Sequence, residues 1–142
     1  MALYESQRER IIRHMIDAWI PLGPGESFKL LHASRTERVL LLRLEPGTVV
    51  PLHRHQGHVH AFNISGTRKL IETGEIVGPD GYVYEPPGNV DSWMAIGDEP
   101  VIVHIVSTGA MEYLGANGEV IETHGPALLQ ELHDRYVAEH GA

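Results

Sequence analysis

The sequence predicts an all-β fold, a sandwich or barrel of short strands flanked by two amphipathic helices. Short runs rich in Val, Ile, Leu and aromatic residues recur at close spacing through the middle of the 142-residue chain. Turn signals built from Gly, Pro, Ser and Asp separate these runs. Strands do not alternate with helices, as they would in a parallel sheet, so a sandwich or a barrel is the expected architecture.

An amphipathic helix is predicted at each end of the chain. Residues 3–19 carry apolar side chains at helical spacing, and the Pro- and Gly-rich stretch 21–25 ends that helix, so that residues 1–25 form a helix and a linker. Residues 126–142 repeat the pattern: Pro126 suits a first helical position, an apolar stripe follows, and Gly141 ends it. We expect both helices to pack on the core or on a sister subunit rather than to carry chemistry.

Residues 26–123, between the helices, are predicted to form the barrel of a single domain. The expected strands are short and rich in aliphatic and aromatic residues: Arg38–Leu44, Val59–Ile64, Thr67–Glu72, Tyr82–Glu85 and Val101–Val106. Gly, Pro, Ser and Asp mark the turns between them, at residues 45–47, 65–66, 78–81 and 86–88.

The composition argues against several classes of partner. The formal net charge is −8, and no cluster of Lys and Arg is present that could follow a phosphate backbone, so we expect no nucleic acid to bind. The absence of cysteine rules out disulfides and thiolate metal ligands. The N-terminus lacks the apolar region of a signal peptide, and no apolar run approaches the roughly 20 residues of a membrane span. We therefore expect a soluble, cytoplasmic protein that does not bind membranes.

The segment PLHRHQGHVH, residues 51–60, holds four of the ten histidines. His53 and His55 are two residues apart, and alternate side chains of an extended strand share a face, so both imidazoles can bind one ion. His58 and His60 repeat this spacing. An isolated His-x-His pair is more often a surface loop or a hydrogen-bonded core feature than a ligand pair. Glycines and prolines at defined distances on both sides favour the metal hypothesis here.

These glycines and prolines carry a resemblance to a known family. Residues 47–55, GTVVPLHRH, with Gly66 after the next strand, resemble the first cupin motif, which has a glycine, five residues and His-x-His. Residues 81–91, GYVYEPPGNVD, resemble the second motif, in which Pro-x-Gly and two further residues precede a histidine. The resemblance implies a double-stranded β-helix, the cupin jelly-roll barrel, with a metal ion in its mouth.

A narrower resemblance lies within the cupins. Residues 53–62, HRHQGHVHAF, and residues 82–88, YVYEPPG, are similar to the 2,4'-dihydroxyacetophenone dioxygenase branch, and more distantly to acetylacetone dioxygenases. A strand pair within Met111–Glu122, followed by the terminal helix, fits the same layout. Those enzymes use non-haem Fe(II) and O2 to cleave a carbon–carbon bond beside a carbonyl. The resemblance therefore implies one divalent metal ion, Fe(II) first, with Mn, Ni or Zn as alternatives.

The glutamate of the first cupin motif is missing from its usual place, which falls on Val59 or His60. If residues 65–66 form a two-residue hairpin loop, Val59 lies opposite Glu72, and the carboxylate of Glu72 reaches the ligand face from the neighbouring strand. The resemblance points the same way, because the dioxygenase branch takes its glutamate from this later strand. Otherwise Glu72 is a solvated charge at a strand end.

The second motif departs from the family at Asp91, which stands in the place of the histidine. An aspartate can bind iron or manganese, or it can accept a hydrogen bond from a bound water molecule. His60 and His104 are reserve ligands, and His60 is preferred as a packing residue because strand alternation turns it away from the face of Val59. The predicted metal ligands are thus His53, His55, Glu72 and Asp91.

Three functions are compatible with this site. The first is an Fe(II) dioxygenase that acts on a small diketone or hydroxyketone. The second is a metal-binding cupin without O2 chemistry, such as an isomerase, a decarboxylase or a small-ligand sensor, and the third is a metal-free binding protein. A buried Arg68 would either anchor an anionic substrate or pair with a glutamate. A homodimer is also expected, because the apolar stripes of two helices exceed what a barrel of this size covers.

Overall fold

The computed structural model describes residues 13–141, which form twelve strands and one helix. The strands are β1 (Ile20–Gly23), β2 (Glu26–Ala33), β3 (Glu37–Leu44), β4 (Val49–His55), β5 (Val59–Ser65), β6 (Thr67–Leu70), β7 (Ile76–Val77), β8 (Tyr82–Glu85), β9 (Val90–Ile96), β10 (Val101–Thr108), β11 (Met111–Leu114) and β12 (Val120–His124). The helix α1 (Leu128–His140) follows them. All the strands predicted in the barrel are present, and β4 and β9, which overlap the two motifs, carry the candidate site.

The strands form two six-stranded antiparallel sheets. Sheet A has the order β1-β2-β3-β10-β5-β8, and sheet B has the order β12-β11-β4-β9-β6-β7. From β3 to β6, and again from β8 to β11, successive strands alternate between the two sheets. This alternation is the chain path of a jelly roll, so the predicted all-β double-stranded β-helix is confirmed.

The core lies between the two sheets and follows from strand alternation. On β3 every second side chain is buried, from Arg38 to Leu44, while the intervening ones face outward. Phe28, Leu44 and Val101 are completely buried, and each such side chain contributes about 1.5–3 kcal/mol of burial free energy. The polar side chains that share the interior with this core form the candidate site.

The predicted pairing of the strands on either side of residues 65–66 is wrong. β5 lies in sheet A, where Val59 pairs with Glu85 on β8, whereas β6 lies in sheet B beside β9. The chain crosses between the sheets at Gly66, whose φ is +73°, and a Cβ at this residue would lie 2.3 Å from the carbonyl oxygen of Pro100. Val59 therefore does not lie opposite Glu72.

The predicted N-terminal helix is not present in the part of it that the structure describes. Residues 13–19 form neither helix nor strand, and residues 3–12 lie outside the described residues. Ile16 packs against the core from this irregular segment, so its apolar character reflects contact with the barrel rather than a helical face. The stretch expected to be a linker contains β1, in which Ile20 pairs with Phe28. Pro21 is tolerated there because β1 is an edge strand.

The helix α1 packs its apolar stripe on the barrel of its own chain. Leu129 is buried, and Leu132 and Tyr136 pack against the core beside it. The helix ends at Gly141, which has a φ of +65° and donates its N–H to the carbonyl oxygen of Val137. Within residues 13–141, no helix has the length and apolar character needed to cross a membrane.

Candidate metal centre

His53 and His55 lie side by side inside the barrel, at the end of β4. Strand alternation turns both side chains inward, and they are only 3% and 6% exposed. Their rings meet edge to face, with centroids 5.0 Å apart and planes inclined at 88°. The i, i+2 spacing thus brings two imidazoles to one place in the interior.

Asp91 joins these histidines from the neighbouring strand. Its Cα is the partner of His53 in the pairing of β4 with β9, so the two side chains project to the same face of sheet B. The distance from His53 Nε2 to Asp91 Oδ1 is 3.1 Å. Asp91, which stands where the motif it resembles has a histidine, therefore lies against the first imidazole of the His-x-His pair.

The hydrogen bond of the other ring nitrogen, Nδ1, fixes how the His53 ring presents Nε2 to Asp91. His53 Nδ1 lies 2.7 Å from the carbonyl oxygen of Pro51, which can only accept, so Nδ1 carries a proton. Nε2 points at Asp91 Oδ1, which is buried and accepts no other hydrogen bond from the described residues. A cation between Nε2 and Oδ1, either a proton or a metal ion, satisfies both atoms. The arrangement fits a metal ion, because a metal-bound histidine usually donates its other N–H to a carbonyl or carboxylate.

His55 is neutral over the physiological pH range. Burial, and then the neighbouring charges of His53 and Arg38, lower the pKa of its imidazole to about 3. A neutral imidazole is the form that binds metal ions, so the environment keeps His55 ready to act as a ligand.

Glu85 brings a second buried carboxyl group to the site. It lies at the end of β8, and Asn89 Nδ2 donates a hydrogen bond of 2.8 Å to its Oε1. Burial, and then the adjacent charge of Asp91, raise the pKa of Glu85 to about 7, while the bond from Asn89 and the charge of Arg68 act in the opposite direction. The carboxyl pair of Glu85 and Asp91 gives the interior a local negative charge.

Arg68 faces that pair from β6. Its guanidinium is 2% exposed, donates from Nε to Asn63 Oδ1 at 3.1 Å, and lies 4.7 Å from the centroid of the Trp93 ring. Burial lowers the pKa of Arg68, and the charges of Glu85 and Asp91 partly offset that effect. Arg68 Nη2 is buried without a hydrogen-bond partner among the described residues. The guanidinium thus balances the carboxyl pair through space and makes no ion pair with it.

A cavity of about 280 Å³ opens next to these residues. This volume is near the lower end for small-molecule sites, which begin at roughly 300 Å³. Its apolar wall comes mainly from the two sheets and is closed by α1: Leu40, Leu42, Val50, Val59, Ala61, Trp93, Leu128, Leu129 and Leu132. The polar side chains at its surface include His53, His55, Arg38, Arg68, Glu85 and Tyr113. A small molecule bound here would contact the candidate metal ligands.

Sequence comparison matches residues 7–114 to the family model of the ChrR cupin-like domain. The chain belongs to this cupin family. The matched range contains both motifs and every residue of the candidate metal centre. No curated protein sequence matches the chain.

Solved structures share the fold of this cupin. An RmlC-like cupin protein from Ralstonia eutropha JMP134 superimposes with a TM-score of 0.81 at 21% identity, covering 87% of this chain and 83% of that one. For an acetylacetone dioxygenase from Acinetobacter johnsonii the TM-score is 0.76 at 19% identity, with 87% and 90% covered. For Rhodobacter sphaeroides SigE in complex with the anti-sigma ChrR it is 0.56 at 19% identity, with 63% and 47% covered. At these identities the likeness establishes the fold alone.

In this cupin the carboxylate of Glu72 is hydrogen-bonded to Ser92, the residue that follows Asp91. Glu72 follows β6, is exposed, and accepts hydrogen bonds from the backbone N–H and the hydroxyl of Ser92. Although burial acts to raise its pKa, these bonds outweigh that effect and hold the pKa of Glu72 below its usual value. The predicted pairing of Glu72 with Val59 is wrong. Glu72 therefore stays a predicted metal ligand, but the pairing no longer supports this prediction. Among residues 13–141, no three His, Asp or Glu side chains already converge as a ligand set.

The reserve histidines lie on the outside of the barrel. His60 is exposed, stacks on the ring of Tyr82, and has its Nδ1 2.6 Å from the hydroxyl oxygen of that tyrosine. His104 projects from the same outer face of sheet A, where it pairs with Phe62. Neither side chain reaches the cavity that holds His53.

Two interior residues, Glu85 and Arg38, were not predicted as site residues. Strand alternation is the signal for Glu85. Residues 83 and 85 share one face of β8, and the structure shows the tyrosines at 82 and 84 on the exposed face. The signal for Arg38 is similar, because it opens the buried face of an alternating strand. Both signals show which face is buried, and neither shows which side chains lie across the interior.

Proposed function

We propose that this cupin binds one divalent metal ion through His53, His55 and Asp91 and acts as a non-haem Fe(II) dioxygenase. Its reaction would cleave the carbon–carbon bond beside a carbonyl in a small diketone or hydroxyketone. The observation that carries the proposal is the buried contact of His53 Nε2 with Asp91 Oδ1, beside the imidazole of His55. Two imidazoles and one carboxylate form the donor set typical of non-haem Fe(II) oxygenases. The structural likeness to an acetylacetone dioxygenase supports this choice of reaction.

The protein's own groups have defined tasks in this proposal. Bound Fe(II) would supply the redox chemistry that activates O2. The carbonyl of Pro51 holds the tautomer and orientation of His53, and burial keeps His55 unprotonated. The apolar wall around Val59 and Trp93 shields the reacting groups from bulk water.

Anaerobic reconstitution with Fe(II) tests the proposal. We expect one iron per chain by elemental analysis, and O2 uptake in a one-to-one ratio with cleaved product on a panel of β-diketones and aryl hydroxyketones. Product identification by mass spectrometry should show incorporation of label from ¹⁸O2. Stoichiometric iron without O2 uptake on any member of the panel would contradict the dioxygenase proposal and leave the metal site standing.

A second candidate is a metal-binding cupin without oxygen chemistry, acting as a small-ligand sensor. The observation that favours it is the family itself, whose model is the ChrR cupin-like domain, and ChrR is an anti-sigma protein in the structure with SigE. Under this candidate the same cavity binds a metal ion and a small molecule. A diketone or hydroxyketone incubated with the iron-loaded protein would then be recovered unchanged after exposure to O2.

A further inference from the structure

Arg38 is a buried cation of the cavity that forms no ion pair within residues 13–141. It points inward from β3, is 9% exposed, and is one of the residues that line the cavity. Among the described residues, the arginines that form ion pairs are Arg43, with Glu45, and Arg54, with Glu112. Because an unpaired charge inside a protein is costly, a buried guanidinium without a carboxylate requires an explanation.

The contacts of Arg38 use only part of its hydrogen-bonding capacity. Nε donates to the hydroxyl oxygen of Ser107 at 3.2 Å, and Nη2 lies 3.8 Å from the sulfur of Met111, which is a weak acceptor. A guanidinium has five N–H groups in a rigid fork. The remaining donors of Arg38 are thus available at the cavity surface to an acceptor that the described residues do not provide.

Arg38 lies on the same side of the cavity as the second candidate metal ligand. Met111, which its guanidinium contacts, is the strand partner of His55. The charge of Arg38 is also close enough to His55 to contribute to the low pKa of that imidazole. A molecule bound between them would therefore contact the guanidinium at one end and the histidine pair at the other.

Carboxylates act on both buried arginines of the cavity. Glu85 and Asp91 partly offset the effect of burial on Arg68, and Glu26 does so for Arg38. Glu26 and Glu122 line the same cavity as Arg38. Within residues 13–141 neither of them forms an ion pair with Arg38, so its guanidinium has no carboxylate in contact with it.

We propose that Arg38 binds a carboxylate of the substrate, so that the cavity takes a small keto acid in preference to a neutral diketone of the same size. This inference rests on the proposed function for the identity of the cavity as the substrate site. The fork of the guanidinium suits the two oxygens of a carboxylate, and the ketone carbonyl would then lie on the side of His55. The class of substrate is thereby narrowed to ketones that carry a carboxylate a few bonds from the carbonyl.

Acetoacetate and pentane-2,4-dione are a matched pair of probes for this inference, because a carboxylate replaces one acetyl group. Binding is measured by isothermal titration on chelator-treated, metal-free protein, so that no turnover is involved. We expect the wild type to bind acetoacetate about 10-fold or more tightly than the dione, since a charge-assisted pair is worth at least that factor. Arg38→Gln should lose this preference and leave dione binding within about 2-fold. Arg38→Lys, which keeps the charge but loses the fork, should show an intermediate preference.

Arg43→Gln is the matched control, because Arg43 lies on the outward face of the same strand and should leave both affinities unchanged. Circular dichroism must show that the Arg38 variants are folded. Unchanged acetoacetate binding in folded Arg38→Gln would overturn the inference, as would equal losses for both probes. The outcome is separate from that of the proposed function: a carboxylate preference without O2 uptake leaves the inference standing, whereas O2 uptake on the neutral dione with no binding preference for acetoacetate leaves only the dioxygenase.

Discussion

At the residue scale, the proton on His53 Nδ1 determines which ring nitrogen faces Asp91. The hydrogen bond from His53 Nδ1 to Pro51 turns Nε2 toward the buried carboxylate of Asp91. A cation between Nε2 and Asp91, either a proton or a metal ion, makes this contact favourable, so a metal ion would bind there in competition with a proton. The interior is thus pre-organised for a positive ion.

Removal of the two imidazoles should abolish metal binding. We expect the His53→Ala/His55→Ala variant to retain no stoichiometric metal by elemental analysis, because two of its three proposed ligands are gone. The control is His58→Ala/His60→Ala, which has the same i, i+2 spacing, and whose His60 side chain lies on the outer face. Full metal content in the His53/His55 variant would show that the site lies elsewhere.

Asp91→His should preserve or strengthen metal binding. It restores the three-histidine pattern that the cupin resemblance implies, and it replaces the buried acceptor opposite His53 by a neutral ligand. Equilibrium dialysis against Zn(II) measures the affinity. Asp91→Ala is the comparison variant and should bind about 10-fold or more weakly, as the loss of one ligand usually does. Loss of metal in Asp91→His would mean that the aspartate orients a water molecule or the substrate instead.

Glu72→Gln tests the fourth predicted ligand. If the carboxylate leaves Ser92 and joins the metal, the neutral amide should weaken Zn(II) affinity by about 10-fold or more in the same dialysis. Ser92→Ala separates the two roles, because it removes one hydrogen bond to Glu72 and keeps the carboxylate. An affinity unchanged in Glu72→Gln would restrict the ligands to His53, His55 and Asp91.

The connection between β5 and β6 matters most at the scale of the elements. A short link there would form a hairpin in many antiparallel proteins, but in this one Gly66 carries the chain from sheet A to sheet B. The crossing turns the inner faces of the two sheets toward each other. It thereby places Glu85, rather than Glu72, across from Val59.

Gly66→Ala should destabilise the fold more than a substitution at another glycine with positive φ. The left-handed backbone costs a non-glycine residue about 1–3 kcal/mol, and at position 66 the new Cβ would also meet backbone atoms of residues 100 and 101. Gly97→Ala is the matched control, because Gly97 has a φ of +81° and nothing within 4 Å of the added Cβ. Urea unfolding measures both free energies. Equal losses at the two positions would show that close packing at the crossing contributes nothing.

At the scale of the whole molecule, the outer face of sheet A takes no part in the proposed chemistry. Exposed apolar and aromatic side chains continue across β5 and β8 there: Phe62, Ile64, Tyr82 and Tyr84. The outward positions of β5, β8 and β10 carry no carboxylate, although the chain has a formal net charge of −8. Two copies can therefore meet at this face without like-charge repulsion. The apolar stripe of α1, in contrast, is already covered by its own barrel.

The homodimer expected from the sequence stays a prediction, now with this face as its interface. Sedimentation at micromolar concentration should give about twice the 15.8 kDa of one chain. Phe62→Lys/Tyr82→Lys should shift the mass toward the monomer, because two charges would be buried at the interface. Ile121→Lys serves as the control, since Ile121 is exposed on sheet B. A wild-type mass near 15.8 kDa would contradict the prediction.

Much of this protein follows from local pattern in its sequence. The alternation along β4 places His53 and His55 on one face, and the two motifs imply the cupin barrel and Asp91 as the counterpart of the missing histidine. Pro126, the apolar stripe and Gly141 predict the helix within residues 126–142. These features depend on the side-chain period of a single element, which neighbouring residues encode.

Tertiary structure alone decided which strands are neighbours. The same turn at residues 65–66 is compatible with a hairpin or with a crossing between sheets, and the choice depends on burying two faces against each other rather than on the turn itself. That choice placed Glu85, rather than Glu72, opposite Val59, and it placed Arg38 in the cavity with His55. The sequence by itself determines the face that each side chain takes on its own strand, whereas the partner across the interior is set by contacts between residues far apart in the chain.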